Sequence, residues 1–153
     1  MHFPKRIRLP REVYSDPSNA FHLTIAAHPE IRSFRAQTGD AIWESVLEQR
    51  VSPRIDLLAA CLMPDHLHLV AKPGEVDLIT WMQHWKSWST RLAWATGHRG
   101  PLWQPSAWDR ALRRDEDLAT VCRYVYENPE SGGLLEPGQT WPWRWGYWLD
   151  QNR

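Results

Sequence analysis

Apolar and polar positions follow two rhythms along this chain, and the changes of rhythm mark its elements. Phe21, Leu23 and Ile25 occupy alternate positions of Phe21–Ala27, the period of a strand with one apolar face. From Asp40, a residue that can cap a helix, Ile42, Val46 and Leu47 recur at helical spacing. Arg54–Leu62 is an apolar run suited to a central strand, Met63-Pro64-Asp65 can turn the chain, and His66–Ala71 predicts a second strand, so the two form a hairpin. Pro73-Gly74 stops that strand. Asp77 opens a long helix to about Thr96, with Ile79, Met82, Trp85, Trp88 or Ser89, and Leu92 recurring every three to four residues. Gly97 and Gly100-Pro101 end it. Ala107–Arg113 alternates as a further strand. Asp115 or Asp117 then caps a helix through Leu118, Val121, Cys122 and Val125, closed by Asn128-Pro129 because a residue before proline disfavours the helical region.

The resulting order, β-α-β-β-α-β-α, predicts a ferredoxin-like α+β fold: an antiparallel sheet with helices packed on one face. No repeat or low-complexity run divides the chain, and its 153 residues fit a single domain, 1–153. That domain has a basic, proline-punctuated, irregular arm at about 1–20 and a tryptophan-rich tail at about 136–153. Charge changes the picture little. Lys+Arg and Asp+Glu balance at 18 each, so a nucleic-acid partner has to be argued from local patches. Lys5, Arg6, Arg8 and Arg11 precede the first acid, Glu12, and Arg110, Arg113, Arg114 and Arg123 form a second group. Cys61 and Cys122 make no C-x-x-C pair and predict buried thiols in a reducing compartment. Eleven tryptophans are available to fill a core or to stack on unpaired bases, with packing expected for most. No segment reads as a signal peptide or as the roughly 20 apolar residues of a membrane span, which predicts a cytoplasmic protein with no membrane partner.

Two constellations carry chemistry. In Asp65-His66-Leu67-His68-Leu69, strand alternation puts His66 and His68 on one face and both leucines on the other, so two imidazoles stand side by side as half of a metal site. In Tyr124-Val-Tyr126-Glu-Asn128-Pro129, Tyr124 and Asn128 are four residues apart and share a helical face, whereas Tyr126 lies about 200° around from Tyr124. A phenol is a poor nucleophile at neutral pH, and a nearby divalent cation that polarises the electrophile makes its attack productive. Asp65 can orient a neighbouring imidazole.

Taken in order, Leu62-Met-Pro-Asp-His-Leu-His-Leu-Val70, Pro101-Leu-Trp-Gln104 with Trp108-Asp109-Arg110, Arg123-Tyr-Val-Tyr-Glu-Asn-Pro129 and the terminal Trp141-Pro142-Trp143 resemble the REP-associated tyrosine transposases, a single-tyrosine branch of the HUH endonucleases. The resemblance runs from about Arg8 to Trp148. It implies His66 and His68 as ligands of Mg²⁺ or Mn²⁺, Asn128 as a third protein ligand, and Tyr124 as the nucleophile that leaves a 5′-phosphotyrosine and a free 3′-hydroxyl. The implied partner is single-stranded or hairpin DNA, acted on by a monomer or a homodimer. Because the phosphotyrosine conserves the bond energy, no nucleotide cofactor is implied. Arg6, Arg8, Lys86, Arg91, Arg110, Arg113 and Arg114 are the candidate DNA contacts. Glu130-Ser-Gly-Gly-Leu134 departs from the small or basic run usual after Asn-Pro in this family, and short ends imply abbreviated hairpin-recognition segments. Two other readings stay open: a non-catalytic binder of single strands or hairpins, and a zinc hydrolase taking Cys61 or Cys122 as third ligand.

Overall fold

Strand alternation divides the interior into two unequal cores, one on each side of a single sheet. The computed structural model describes residues 9–113 and 116–149; Arg6, Arg8, Arg114 and Asp115 lie outside them. The elements are β1 (Phe21–Ala26), α1 (Ala36–Leu47), β2 (Ile55–Leu62), β3 (His66–Pro73), α2 (Leu78–Ala95), β4 (Trp108–Ala111), α3 (Leu118–Tyr126), α4 (Asn128–Ser131) and β5 (Arg144–Gly146). The strands form one antiparallel sheet in the order β4-β1-β3-β2-β5. The predicted α+β order is present, and its first four strands pair in the ferredoxin-like arrangement. β5, from the segment expected to be a tail, pairs along the outer edge of β2 through Ala59↔Gly146, Ala60↔Trp145 and Cys61↔Arg144.

The larger core lies under α1 and α2. Phe21, Leu23 and Ile25 of β1 and Leu67, Leu69 and Ala71 of β3 face it, meeting Ile42, Trp43, Val46, Trp81, Met82 and Trp85. A register shift in β2 between Leu57 and Ala59 reverses the parity of that strand. Leu57 and Ala60 therefore both join the larger core, while Leu58, Ala59 and Cys61 join the smaller one with Val70 and, from α3, Cys122 and Val125. So α3 covers the opposite face of the sheet from α1 and α2, which corrects the expectation of helices on one face only, because Val70 and Ala59 give the second face an apolar patch of its own. His22, Thr24, His66 and His68 share that second face.

Helix ends follow their caps. Asp77 caps α2, its carboxylate accepting from the Thr80 N–H at 2.8 Å, and Asp117 caps α3 by accepting from Ala119 N–H at 3.1 Å. The expected start of α1 at Asp40 is corrected to Ala36. Asp40 lies one turn inside, its Oδ1 accepting the Trp143 indole N–H at 2.9 Å, because Gly39 leaves room for that ring beside the helix. In the arm, Arg11–Ser15 forms a 3₁₀ turn that buries Tyr14 on Phe21, with the phenol donating to Asp109 at 2.7 Å. Of the alternatives in α2, Ser89 is buried and Trp88 exposed, since Ser89 accepts the Trp103 indole N–H at 2.9 Å.

Candidate active site

β3 delivers its histidines as its alternation predicts. His66 and His68 are both buried on the α3 side, with their Nε2 atoms 3.0 Å apart and rings edge-on. The other nitrogen of each ring is held. His66 Nδ1 stands 2.7 Å from Asp65 Oδ1, and His68 Nδ1 stands 3.0 Å from the Thr24 hydroxyl and 3.1 Å from His22 Nε2. With both Nδ1 atoms carrying the proton, Asp65 and Thr24 accept from them and both Nε2 lone pairs converge on one point. This is the tautomer arrangement that metal-binding imidazoles require. Burial, then His66 and His22 beside it, hold His68 down at about 3, so it is neutral near pH 7.

The spacing suits an ion. Adjacent donors at about 2.1 Å around an octahedral Mg²⁺-sized ion stand about 3.0 Å apart, against roughly 3.4 Å for a tetrahedral pair. Among the described residues no cluster of three or more His, Cys, Asp and Glu is placed to hold a metal. The zinc reading accordingly finds no cysteine ligand. Cys61 is paired opposite His68 in the sheet, yet its thiol contacts Met63 Sδ at 3.8 Å and is pushed up to about 12 by burial. Cys122 lies in the same apolar cluster and is also pushed up to about 12.

His22 was absent from the sequence-derived set. It is buried, lies 3.1 Å from His68 and 5.3 Å ring to ring from Trp108, and is held down at about 4 by burial and by Arg110. The signal available in the sequence was its parity: His22 and Thr24 occupy the polar face of the strand whose other face is Phe21, Leu23 and Ile25. What makes that parity matter is the pairing Thr24↔His68 between β1 and β3.

α3 packs chiefly on β2, with β3 and β5 to either side. Its two tyrosines point to opposite flanks. Tyr126 is half-buried on the β5 flank, with the Arg144 guanidinium 4.4 Å from its ring centre. Tyr124, about 200° around the helix, points away from the Arg144 contact and is 59% exposed. The single helical face expected to carry Tyr124 and Asn128 is corrected. α3 ends at Tyr126, Glu127 departs from helical geometry, and Asn128 opens the separate turn α4. Pro129 has no N–H to continue the ladder and instead serves at the start of that turn. α4 sits against the β2–β3 hairpin: an added Cβ on Gly132 would come within 3.8 Å of Met63 Cε, and the Met63 N–H donates to His66 O at 2.7 Å. Asn128 is half-buried there.

The basic candidates divide by what already holds them. Arg110 Nη1 donates to both carboxylate oxygens of Glu116 at 2.9 and 3.0 Å, and the Arg113 backbone N–H donates to the same carboxylate. Lys86 is half-buried, donates to the carbonyls of Gln104 and Ser106, and is brought down to about 8 by burial. Arg91 is exposed, lying 5.4 Å over the Trp88 ring. No helix among the described residues is long and apolar enough to cross a membrane.

Known proteins resemble this chain in sequence and in fold. The REP-associated tyrosine transposase of Escherichia coli is 26% identical over 57% of this chain and 52% of its own length. A Haemophilus influenzae protein provisionally given the same name is 28% identical over 58% of this chain and 57% of its own length. The chain thus spans a little over half the length of these curated relatives. A solved REP-associated tyrosine transposase bound to a REP hairpin has the same fold, with a TM-score of 0.63, 18% identity, and coverage of 91% of this chain and 82% of that one. The family description "Transposase IS200 like" matches residues 17–128, a span that begins before β1 and ends at Asn128, so the chain belongs to the IS200-like transposase family.

Proposed function

We propose that this protein cleaves and rejoins single-stranded DNA next to a hairpin, with Tyr124 as the attacking residue and a divalent ion, Mg²⁺ or Mn²⁺, held by His66, His68 and Asn128. The observation that carries the reading is the 3.0 Å approach of the His66 and His68 Nε2 atoms on the sheet face that α3 also covers. Asp65 beside His66 Nδ1, and Thr24 and His22 beside His68 Nδ1, orient the two rings, and the Nδ1-protonated tautomers are the ones that would present both Nε2 atoms to the ion. When bound, the ion acts as a Lewis acid on the scissile phosphate and holds it in line. Tyr124, which is exposed, is accessible to a phosphodiester; its oxygen attacks phosphorus and the 3′-oxygen leaves, giving a 5′-phosphotyrosine that the same 3′-hydroxyl, or another, reverses. A REP hairpin is the ligand of the solved relative, and hairpin DNA is the substrate proposed for this chain.

The test is a covalent adduct. Labelled hairpin repeats from the neighbourhood of the gene, incubated with the protein and Mn²⁺, are expected to yield a protein–DNA species that survives denaturing electrophoresis. It is expected to vanish with EDTA and in Tyr124→Phe. An adduct of equal yield in Tyr124→Phe, or none with the parent protein, sinks the proposal.

A further inference from the structure

We propose that the groove between α2 and the Pro101–Pro105 segment is a track for an unpaired DNA strand leading to the histidine site. Residues 78 through 108 contain no aspartate or glutamate, although a quarter of the chain is charged. The groove, about 660 Å³, is lined by Lys86, Ser87, Thr90, Arg91, Trp94 and Gln104 among others. An acid-free, cation-bearing channel complements a polyanion, which is the electrostatic footprint of a nucleic-acid surface in a chain of zero net charge.

Ring chemistry distinguishes an unpaired strand from a duplex. Trp94 is 51% exposed, yet its indole N–H donates to Gly100 O at 2.8 Å, so a large aromatic ring is held at the surface rather than packed inward. One turn along the helix, Arg91 stacks over the half-exposed Trp88. A duplex hides the faces of its bases, whereas an unpaired base offers one to such a ring. Lys86, by donating to the carbonyls of Gln104 and Ser106, ties the segment that forms the far wall to α2.

Gln104 supplies the connection to the site. It lines this groove and also a second cleft of about 240 Å³ shared with Asp65 and His66, and its side chain donates to Ala27 O at the end of β1. A strand lying along α2 therefore reaches His66 around the end of the sheet without crossing an acidic wall in the groove. The identification of the polymer as DNA rests on the function proposed above; the groove, its charge and its rings do not depend on Tyr124.

Fluorescence anisotropy in EDTA separates the two. The probes are a labelled DNA hairpin with an unpaired oligothymidylate tail, the same hairpin blunt, and the tail alone. The parent is expected to bind the tailed hairpin more tightly than the blunt one. Arg91→Glu with Trp94→Ala is expected to weaken tailed-hairpin binding about tenfold, the scale of one lost stacking contact, and to leave the blunt hairpin unchanged. Arg91→Ala should reduce the slope of log K against log salt by about 0.7 for the tail alone. Ser87→Glu, at an exposed helix position where a carboxylate pairs with Arg91 without disturbing the core, is expected to act in the same direction. A tail that adds no affinity, or variants that keep its contribution, overturn the track. Equal weakening of the blunt hairpin assigns the surface to duplex and also overturns it. Tail-dependent binding lost in the variants, with no Tyr124 adduct from the parent in Mn²⁺, upholds the track and removes the cleavage reading.

Discussion

The two faces of this sheet are built from the same strands and do opposite work. Under α1 and α2 the residues are apolar and three indoles are internally satisfied: Trp81, Trp85 and Trp103 donate to Gln49, Ser45 and Ser89. Under α3 the same strands present His22, Thr24, His66 and His68, buried but grouped so that one imidazole holds the next. Period-two alternation makes the division possible, because stability and chemistry can be selected on neighbouring positions without competing for one side chain. α3 is shorter than α1 or α2 and packs chiefly on β2, so it covers the histidine strand β3 less fully than β2.

The largest effect separating the faces is expected from Trp85→Ala. Trp85 is buried, packs between Trp81 and Trp103, and its loss also removes the donor to the Ser45 hydroxyl, which keeps its own bond to Ile42 O; the cost should be about 3–5 kcal/mol in urea unfolding. Adduct yield per folded molecule should not change, and a disproportionate loss would show that the faces are coupled. Acidification is the next largest and comes from the other face. The unfolded chain takes up a proton on His22 near pH 6.5 and the folded chain only near 4, so stability should fall as pH drops through that window, by on the order of 3 kcal/mol from this residue. Thermal unfolding from pH 7 to pH 4 measures it, and His22→Phe should make the fall shallower, with the remainder carried by His68, which is held lower still.

Gly39→Ala should cost about 1–3 kcal/mol, since a Cβ there would meet the Trp143 ring; a neutral result would mean that the C-terminal segment is not seated on α1. Thr24→Val keeps shape but removes the hydroxyl beside His68 Nδ1. It should weaken Mn²⁺ binding about 10–100-fold, read by titration, while moving the melting temperature little. The smallest stability change belongs to Tyr124→Phe, within about 0.5 kcal/mol because the ring is mostly exposed, with the adduct lost altogether.

How much of this was legible in the sequence differs residue by residue. The hairpin and its histidine pair were readable because turn chemistry and alternation are local. Ser89 was ambiguous with Trp88, since apolar periodicity does not anticipate a serine buried as the acceptor for a distant indole. The common face of Tyr124 and Asn128 was misread because a helix continuing to Asn128 was assumed, where Pro129 starts a new turn. Tyr124 is nonetheless the accessible phenol, for a reason outside its own helix: Arg144, from a strand not anticipated, occupies Tyr126 and also bonds Glu130 and the Tyr126 carbonyl.

Sequence alone thus determined the element order, the hairpin, and the shared face of His66 and His68, all set by neighbours within a few residues. Only the tertiary structure decided that His22 and Thr24 brace His68, that Glu116 claims Arg110 while Arg91 stays exposed, and that β5 joins the sheet. The bracing of His68 and the place of β5 depend on which surfaces bury one another across 40 or more intervening residues, as in the Thr24↔His68 pairing, and no local pattern encodes that choice.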